Sequence, residues 1–416
     1  MSQHIITWAI AAVATGGVIA RPFGSPEAIW AVCGAVLLVV LGLLPWRAAL
    51  GAVGTGLDVY LFLAGMMLLS ETARREGLFD WLAALATRAA RGSTRRLFLL
   101  IYLVGIVVTA FLSNDACAVV LTPAVYAVTR AARTEPLPYL FICAFVANAA
   151  SFALPISNPA NLVLYASHLP PLPQWIDRFA IPSILAIAAT YAALRFAERR
   201  SLCTAVTSDV ELPRLSSSGR VGACGIAATA VILLAASSAN LRLGLPTCIA
   251  GAATAAIVLL CKREAPWAVL RGVSWSVLPL VAGLFVLVAG LAQTGLIEQI
   301  GAVLGRAAAD SATGTALAAG AILAFGSNLT NNLPAGLIAA SAIGAAHPPR
   351  LVTDALLIGV DLGPNLSVTG SLATILWLVA LRREGLQVGF LRFLRVGVIV
   401  MPPALLLAFA ALVLTH

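Results

Sequence analysis

Apolar stretches run at 5–20, 27–45, 52–71, 97–113, 115–130, 137–168, 173–197, 221–240, 245–261, 274–294, 313–346, 350–381 and 396–415, separated by short polar joints. Most approach the roughly 20 apolar residues a membrane-crossing helix needs. The start, MSQHIITWAIAAVATGGVIA, lacks a basic leader region and reads as a first span. Segment 76–91 has an apolar face flanked by arginines, the pattern of a helix lying in the interface. One long polar stretch, 198–220, reads as a cytoplasmic linker. The pattern predicts N-terminal spans (1–51), a first repeat (52–197), the linker, a second repeat (221–382) and a C-terminal span (383–416).

The two repeats carry the same signals in the same order. Ala64–Gly65 falls on Ala282–Gly283, and Gly77–Leu78 on Gly295–Leu296. Further on, Ser113–Asn114–Asp115 falls on Thr330–Asn331–Asn332, Asn148 on Asp361, and 155–161 on 368–374. Arginines crowd the first copy at Arg74, Arg75, Arg88, Arg91, Arg95 and Arg96, whereas the same stretch of the second copy has only Arg306. Cytoplasmic loops collect Lys and Arg, so the copies face opposite ways and the repeat is inverted. The arms 97–113 and 115–130 are short for full crossings and meet at a polar tip, which predicts a re-entrant hairpin over 97–130 and a second over 313–346. What remains is about ten full spans. Tracing them leaves Arg47, Arg178, Arg242, Arg306 and Arg350 outside, every other Lys and Arg inside, and both termini outside.

Composition agrees. The chain is 61% apolar and 10% charged, with a mean hydropathy of +0.98, where soluble domains are about a quarter charged. That excludes a water-soluble enzyme, and the net charge of +9 orients the chain in a membrane rather than marking a nucleic-acid surface. The fold class is an all-α polytopic membrane protein with an inverted repeat. The seven cysteines (Cys33, Cys117, Cys143, Cys203, Cys224, Cys248, Cys261) show no metal-ligand spacing and read as small apolar residues. No cofactor motif and no hydrolase, nucleotide or zinc-protease motif occurs.

Ionisable groups at membrane depth need a reason. Asp58, Asp115, Asp354 and Asp361 lie in apolar surroundings, with Glu71 near a span end. Asp115 sits in a polar tip, and Asp361 precedes Gly363–Pro364, which should interrupt a helix. Both are therefore candidates for proton exchange, because a carboxylate kept from water releases its proton on hydration. Asp58 and Asp354 read as helix-end or interhelical hydrogen-bonding groups, and His168 as an extramembrane residue outside any relay. Four polar clusters gather candidate binding residues: Ser113 and Asn114; Asn148, Ser151, Asn158 and Asn161; Asn328, Thr330, Asn331 and Asn332; and Asn365, Thr369, Ser371 and Thr374. Asn, Ser and Thr beside Gly and Pro suit broken helices whose free backbone groups replace the hydration shell of a small solute. The clusters hold no Arg, Lys or His, which fits a neutral polyhydroxy solute or a cation better than a dianion. Asp115 and Asp361 are also the acid pair an intramembrane aspartyl protease needs; the Asn-rich, Pro-broken repeats favour transport.

Asn331–Asn332–Leu333–Pro334–Ala335–Gly336, the block GVDLGPNLSVTGSLATILWLVALRREG at 359–385, FLSNDACAVVLTP at 111–123 and NPAN at 158–161 resemble the ArsB-type arsenite permeases. These belong to an ion-transporter superfamily that also includes dicarboxylate carriers and sodium–proton antiporters. The resemblance implies an elevator-like inverted-repeat fold with two re-entrant hairpins, in the cytoplasmic (inner) membrane. It implies efflux of arsenite and antimonite as neutral trihydroxides by proton antiport, with room for an ArsA-type ATPase partner and for a homodimer. Where the dicarboxylate carriers have a Ser-Asn-Thr triplet in each hairpin, this chain has Ser113–Asn114–Asp115 and Thr330–Asn331–Asn332. An acid in place of Thr repels a dicarboxylate and offers a proton or cation site. Only Cys117 lies near a cluster and no second thiol accompanies it, so oxygen and amide contacts are expected rather than thiolate bonds. A cation–proton (Na⁺/H⁺) antiporter is the alternative.

Overall fold

In the computed structural model of the chain, residues 2–165, 169–203 and 212–416 are described. His168 and residues 204–211 of the linker lie outside the described residues. In chain order the helices are α1 (Ser2–Ala20), α2 (Glu27–Val40), α3 (Trp46–Thr55), α4 (Leu57–Arg75), α5 (Leu78–Ala89), α6 (Thr94–Phe111), α7 (Asn114–Ala116), α8 (Thr122–Ala131), α9 (Leu137–Ala149), α10 (Pro159–Tyr165) and α11 (Leu172–Ala197). The rest are α12 (Ser217–Ser238), α13 (Gly244–Lys262), α14 (Trp267–Gly272), α15 (Val277–Gln293), α16 (Leu296–Asp310), α17 (Ala312–Thr330), α18 (Asn332–Ala346), α19 (Arg350–Leu362), α20 (Leu372–Arg383) and α21 (Phe390–Thr415). Among the described residues there is no strand, as a bilayer requires of a chain that does not close into a barrel.

The fold is all-α, polytopic and built on an inverted repeat. Packing partners recur in the two halves: α4 crosses α13 as α15 crosses α2, α6 packs on α9 as α17 does on α19, and α5 meets α8 as α16 meets α18. The repeat thus pairs α1–α4 with α12–α15. It ends on α11 and α21, which pack against each other and carry prolines in their interiors, at Pro182 and at Pro402–Pro403. Two bodies result, each drawing on both halves: α1–α4 with α12–α15, and α5–α11 with α16–α21.

Among the described residues seven helices are long and apolar enough to cross a membrane alone, and up to nine spans result if the bent pairs α3–α4 (48°) and α15–α16 (77°) each count as one. That count includes the hairpin arms α6 and α17 and leaves out α2, which has 14 residues, and the pairs α9–α10 and α19–α20, each interrupted at depth; with the arms set aside and these three counted, ten spans remain. The hairpins hold for a different reason than arm length. α6 has 18 residues and α17 has 19, each enough for a crossing. What makes them re-entrant is the tip, which bonds to an interrupted helix inside the protein.

Glycine explains the first matched signals. A Cβ at Gly65 would strike the backbone carbonyl of Thr247, one at Gly251 that of Gly65, and one at Gly283 the backbone of Ala31. Without a hydrophobic drive between helices in lipid, such close backbone approach supplies the association. Gly77 (φ 71°) and Gly295 (φ 78°) adopt the left-handed turn that starts α5 and α16. On the arginine-rich face, Glu76 ties three elements together: Lys262 Nζ of α13 donates to its Oε1 at 2.9 Å, and Ser216 and Ser218 before and within α12 donate to its Oε2. Burial pulls the Glu76 carboxyl up, but the bonds from Ser218 and Lys262 outweigh this and hold it below the ordinary value.

Gly65→Leu is expected to destabilise the protein by about 1–3 kcal/mol through overpacking, read as a lower Tm in detergent. Gly344→Leu, whose added Cβ meets nothing within 4 Å, should leave Tm unchanged. Because the folded Glu76 value is depressed, its contribution is present above the ordinary value of 4.5 and is lost as pH falls through the folded value. The Tm gap between wild type and Glu76→Gln should therefore be full at neutral pH and close in acid below about pH 4.5.

Candidate functional site

Each hairpin tip is capped by its own polar side chain. Ser113 Oγ accepts from the Ala116 amide at 3.2 Å, and Asn331 Oδ1 accepts from the Leu333 amide at 3.4 Å. Asn331 reaches φ 75°, a conformation few side-chain-bearing residues adopt. The following amides then bond out of the hairpin: Asn114 N–H to Ser157 O at 2.9 Å, and Asn332 N–H to Gly370 O at 2.8 Å. These equivalent bonds correct the sequence register by one residue. Asn114 corresponds to Asn332 and Ser113 to Asn331, so the counterpart of Asp115 is Leu333.

The second arm of the first hairpin widens into a π-helical turn over Cys117–Leu121. Pro123 causes it, since its ring displaces the carbonyl one turn back and it has no N–H to donate. Thr122 Oγ1 donates to the Ala118 carbonyl at 2.6 Å. In the second hairpin Pro334 falls in the first turn of α18, where no amide is missed, and the helix stays regular.

The interrupted helices face each other across the repeat. Asn148 Nδ2 donates to Asn365 Oδ1 at 3.1 Å and to Thr374 Oγ1 at 3.4 Å, and Asn365 Nδ2 to the Phe145 carbonyl at 3.1 Å. Asn158 Nδ2 donates to Asp361 Oδ1 at 2.7 Å. Ser151 Oγ bonds Asn148 O at 2.8 Å, Asn161 Nδ2 bonds Ser151 O at 2.9 Å, and Ser371 shares a hydrogen with Thr374 at 2.7 Å. Asp361 Oδ2, Asn161 Oδ1 and Asn332 Oδ1 are buried with no hydrogen-bond partner among the described residues.

A cavity of about 10 Å³ lies between the tips, lined by Asn114, Asp115, Asn158, Asn332 and the apolar Leu63 and Val277. The helical segments that begin at Asn114, Pro159, Asn332 and Leu372 all start on it, so their positive dipole ends face the same space. It adjoins a cleft of about 70 Å³ that shares Leu63, Asp115, Pro159 and Val277 and runs past Ser113 to Ser70, Glu71 and Gly272 on the arginine-rich side. At that mouth Arg74 grips Glu71 with two bonds, at 2.8 and 2.6 Å. On the opposite face a vestibule of about 670 Å³ ends on Leu162, Val163 and Leu337 and touches none of the predicted site residues.

The predicted residues therefore divide. Ser113, Asn114, Asp115, Asn158 and Asn332 line the cavity and its cleft, and Asn148, Ser151, Asn161, Asp361, Asn365, Ser371 and Thr374 form the buried network behind it. Asn328 and Thr369 instead brace α17 against the α19–α20 break: Asn328 Nδ2 donates to Gly363 O at 3.0 Å, Ser367 Oγ to Asn328 Oδ1 at 2.8 Å, and Thr369 Oγ1 to Asn328 O at 2.8 Å. Thr330 turns away, bonding Gly326 O at 3.2 Å within its own helix and facing a groove beside α16. Ser367 and the π-turn were missed; the Pro123 signal for the latter was present.

Asp58 Oδ1 caps α13 through the Gly244 amide at 2.9 Å, and Asp354 accepts from Tyr165 at 2.5 Å beside Arg178 and His416, both interhelical roles as expected. Cys117 Sγ donates to the Cys143 backbone carbonyl at 3.5 Å and Cys143 Sγ to the Tyr139 carbonyl at 3.8 Å, and neither cysteine lines the cavity. Among the described residues no three His, Cys, Asp or Glu side chains gather as a metal site.

A citrate transporter family model, CitMHS, matches residues 10–381. The chain is 30% identical over 403 residues to the arsenical pump membrane protein of Yersinia enterocolitica, covering 92% of each. It is 29% identical over 433 residues to the arsenical pump membrane protein of Escherichia coli K12, covering 95% of each. An uncharacterized transporter of Mycobacterium tuberculosis is 27% identical over 404 residues, 91% of each chain. Among solved structures, the YdaH transporter of Alcanivorax borkumensis superposes with a TM-score of 0.57 at 17% identity, covering 99% of this chain and 97% of that one.

Asn148→Leu removes the donor to Asn365 and Thr374 and is expected to cost about 1–3 kcal/mol through the acceptors it orphans. Thr330→Val should stay within about 0.5 kcal/mol, as a substitution outside the network. Thermal melting of the two variants in detergent checks the difference.

Proposed function

The chain belongs to the CitMHS citrate transporter family, a multi-pass transporter of the bacterial inner membrane related along its length to arsenical pump membrane proteins, and from that premise we propose that it exports arsenite and antimonite as neutral trihydroxides in exchange for protons. The observation that carries the reading is Asp115 where the small cavity, about one water in size, opens into the adjoining cleft, among amides and helix N-termini and with no cation lining either space. Helix N-termini and Asn side chains donate to the oxygens of a trihydroxide. The Asp115 carboxylate accepts from its hydroxyls and opposes the charge of a citrate-like anion. No thiolate takes part.

Asp115 meets the cleft on the arginine-rich, cytoplasmic side, while Asp361 lies behind the cavity, joined to it through Asn158. Both carboxylates are deprotonated when the solute loads from the cytoplasm. The body carrying the hairpins then moves against α1–α4 and α12–α15, the solute leaves, and protonation of the carboxylates allows the return. An ArsA-type ATPase is an optional partner, docking on loops 72–96 and 198–220. A cation in exchange for protons is the second reading, favoured by the oxygen set of Asp115 and the unpaired Asn332 Oδ1.

The test is proton-driven metalloid uptake by everted vesicles from cells lacking any ATPase partner. Wild-type vesicles are expected to take up arsenite and antimonite. Asp115→Asn and Asp361→Asn should each lose at least about tenfold, equivalent to 1.4 kcal/mol. Undiminished transport by Asp361→Asn would remove that residue from the mechanism. Proton flux that answers to Na⁺ or Li⁺ and ignores arsenite would establish the cation reading, and citrate uptake would overturn both.

A further inference from the structure

On the arginine-rich face, away from the transport cavity, a cleft of about 800 Å³ opens between the start of α6 and the end of α11, with Leu202 at its base. Arg95, Arg195 and Arg199 line it together with Tyr191. Thr94 Oγ1 holds the base in place by donating to the Leu202 carbonyl at 2.8 Å. Arg199 lies over the Phe196 ring at 4.1 Å, and no acid among the described residues pairs with Arg95 or Arg195.

Below the arginines both helices continue as exposed apolar stripes. On α6 Leu99, Leu103 and Val107 follow Arg95 at successive four-residue steps, which places them on one face. On α11 Ile181 and Ile184 are likewise exposed beneath Arg195. Both stripes belong to the membrane-crossing part of their helices. A ligand that fills this groove carries a negative head at the interface and hydrocarbon running toward mid-bilayer. Guanidinium forks match phosphate oxygens, and basic pockets between membrane helices on the cytoplasmic side suit anionic headgroups.

We propose that the α6–α11 groove is a binding site for an anionic phospholipid of the cytoplasmic leaflet, its phosphate held by Arg95 and Arg195 and its acyl chains lying on the Leu99–Val107 stripe. The lipid wedges the first hairpin arm against α11, so its occupancy acts on the body that carries the transport site without touching that site.

The full chain in nanodiscs containing equal phosphatidylglycerol and phosphatidylcholine, analysed by native mass spectrometry, tests this. Wild type should retain phosphatidylglycerol over phosphatidylcholine by at least about fivefold, the worth of one arginine–headgroup contact. R95Q/R195Q should fall to parity, while R88Q/R91Q, an equal charge loss on the same face, keeps the preference. A Tm unchanged in pure phosphatidylcholine shows that R95Q/R195Q is folded. Three results would overturn the proposal: equal retention by wild type and R95Q/R195Q, release of the lipid by millimolar inorganic phosphate (a site for a free anion), or an altered oligomeric state with lipid retention unchanged (a contact between copies of this chain).

Discussion

A helix interrupted inside a bilayer leaves amides and carbonyls that no water can reach, each costing several kcal/mol if left alone. This chain interrupts itself at two hairpin tips and two broken helices, and every other feature of its centre follows from satisfying those ends. The tip amides of Asn114 and Asn332 bond to carbonyls in the two breaks. The breaks are joined to each other by Asn148, Asn158, Asp361 and Asn365. The polar clusters therefore have to converge, and the cavity among them is the space their mutual satisfaction leaves. Its side chains are pre-oriented because the backbone amides of Asn114 and Asn332 are already bonded into the fold.

The inverted repeat makes that convergence cheap in sequence and leaves small asymmetries to carry function. One half has Asp115 where the other has Leu333, and Asn148 where the other has Asp361. One arm is bulged by Pro123, whereas Pro334 leaves its counterpart regular. A fully symmetric site would present two equivalent tips. Here one tip brings an acid and the other only an amide. The interface between the two bodies differs in kind: Gly65, Gly251 and Gly283 tighten crossings inside one body, leaving the hairpin body bounded by the cleft at Asp115 and the wide vestibule beyond Leu337.

Much of this was legible beforehand. The matched pairs Gly65 with Gly283 and Gly77 with Gly295 marked real equivalences, because close helix crossings and left-handed turns restrict residue type wherever they occur. The clusters of Asn, Ser and Thr among Gly and Pro located the breaks for the same reason. Side-chain direction was not legible. Asn328, Thr330 and Thr369 have the composition of site residues, yet two serve as braces and one faces outward, since a helix offers its polar residues several directions and only packing chooses among them. The register of the tips slips by one for a related cause: either Ser113 or Asn331 can accept the capping bond, and the capped amide, rather than the side-chain type, defines the position.

Residue type and order were enough to establish a membrane protein, its helices, its inverted repeat and the acids that needed explaining, because hydropathy, charge bias and backbone interruption are local quantities written along the chain. Tertiary structure alone decided that Asp115 faces the cavity while Asp361 stands behind it, that Cys117 meets Cys143 rather than the solute path, and that α1–α4 and α12–α15 are one body. Those outcomes depend on which surfaces of distant helices meet. Contact between segments some two hundred residues apart is set by the summed fit of both halves, and no window of sequence contains it.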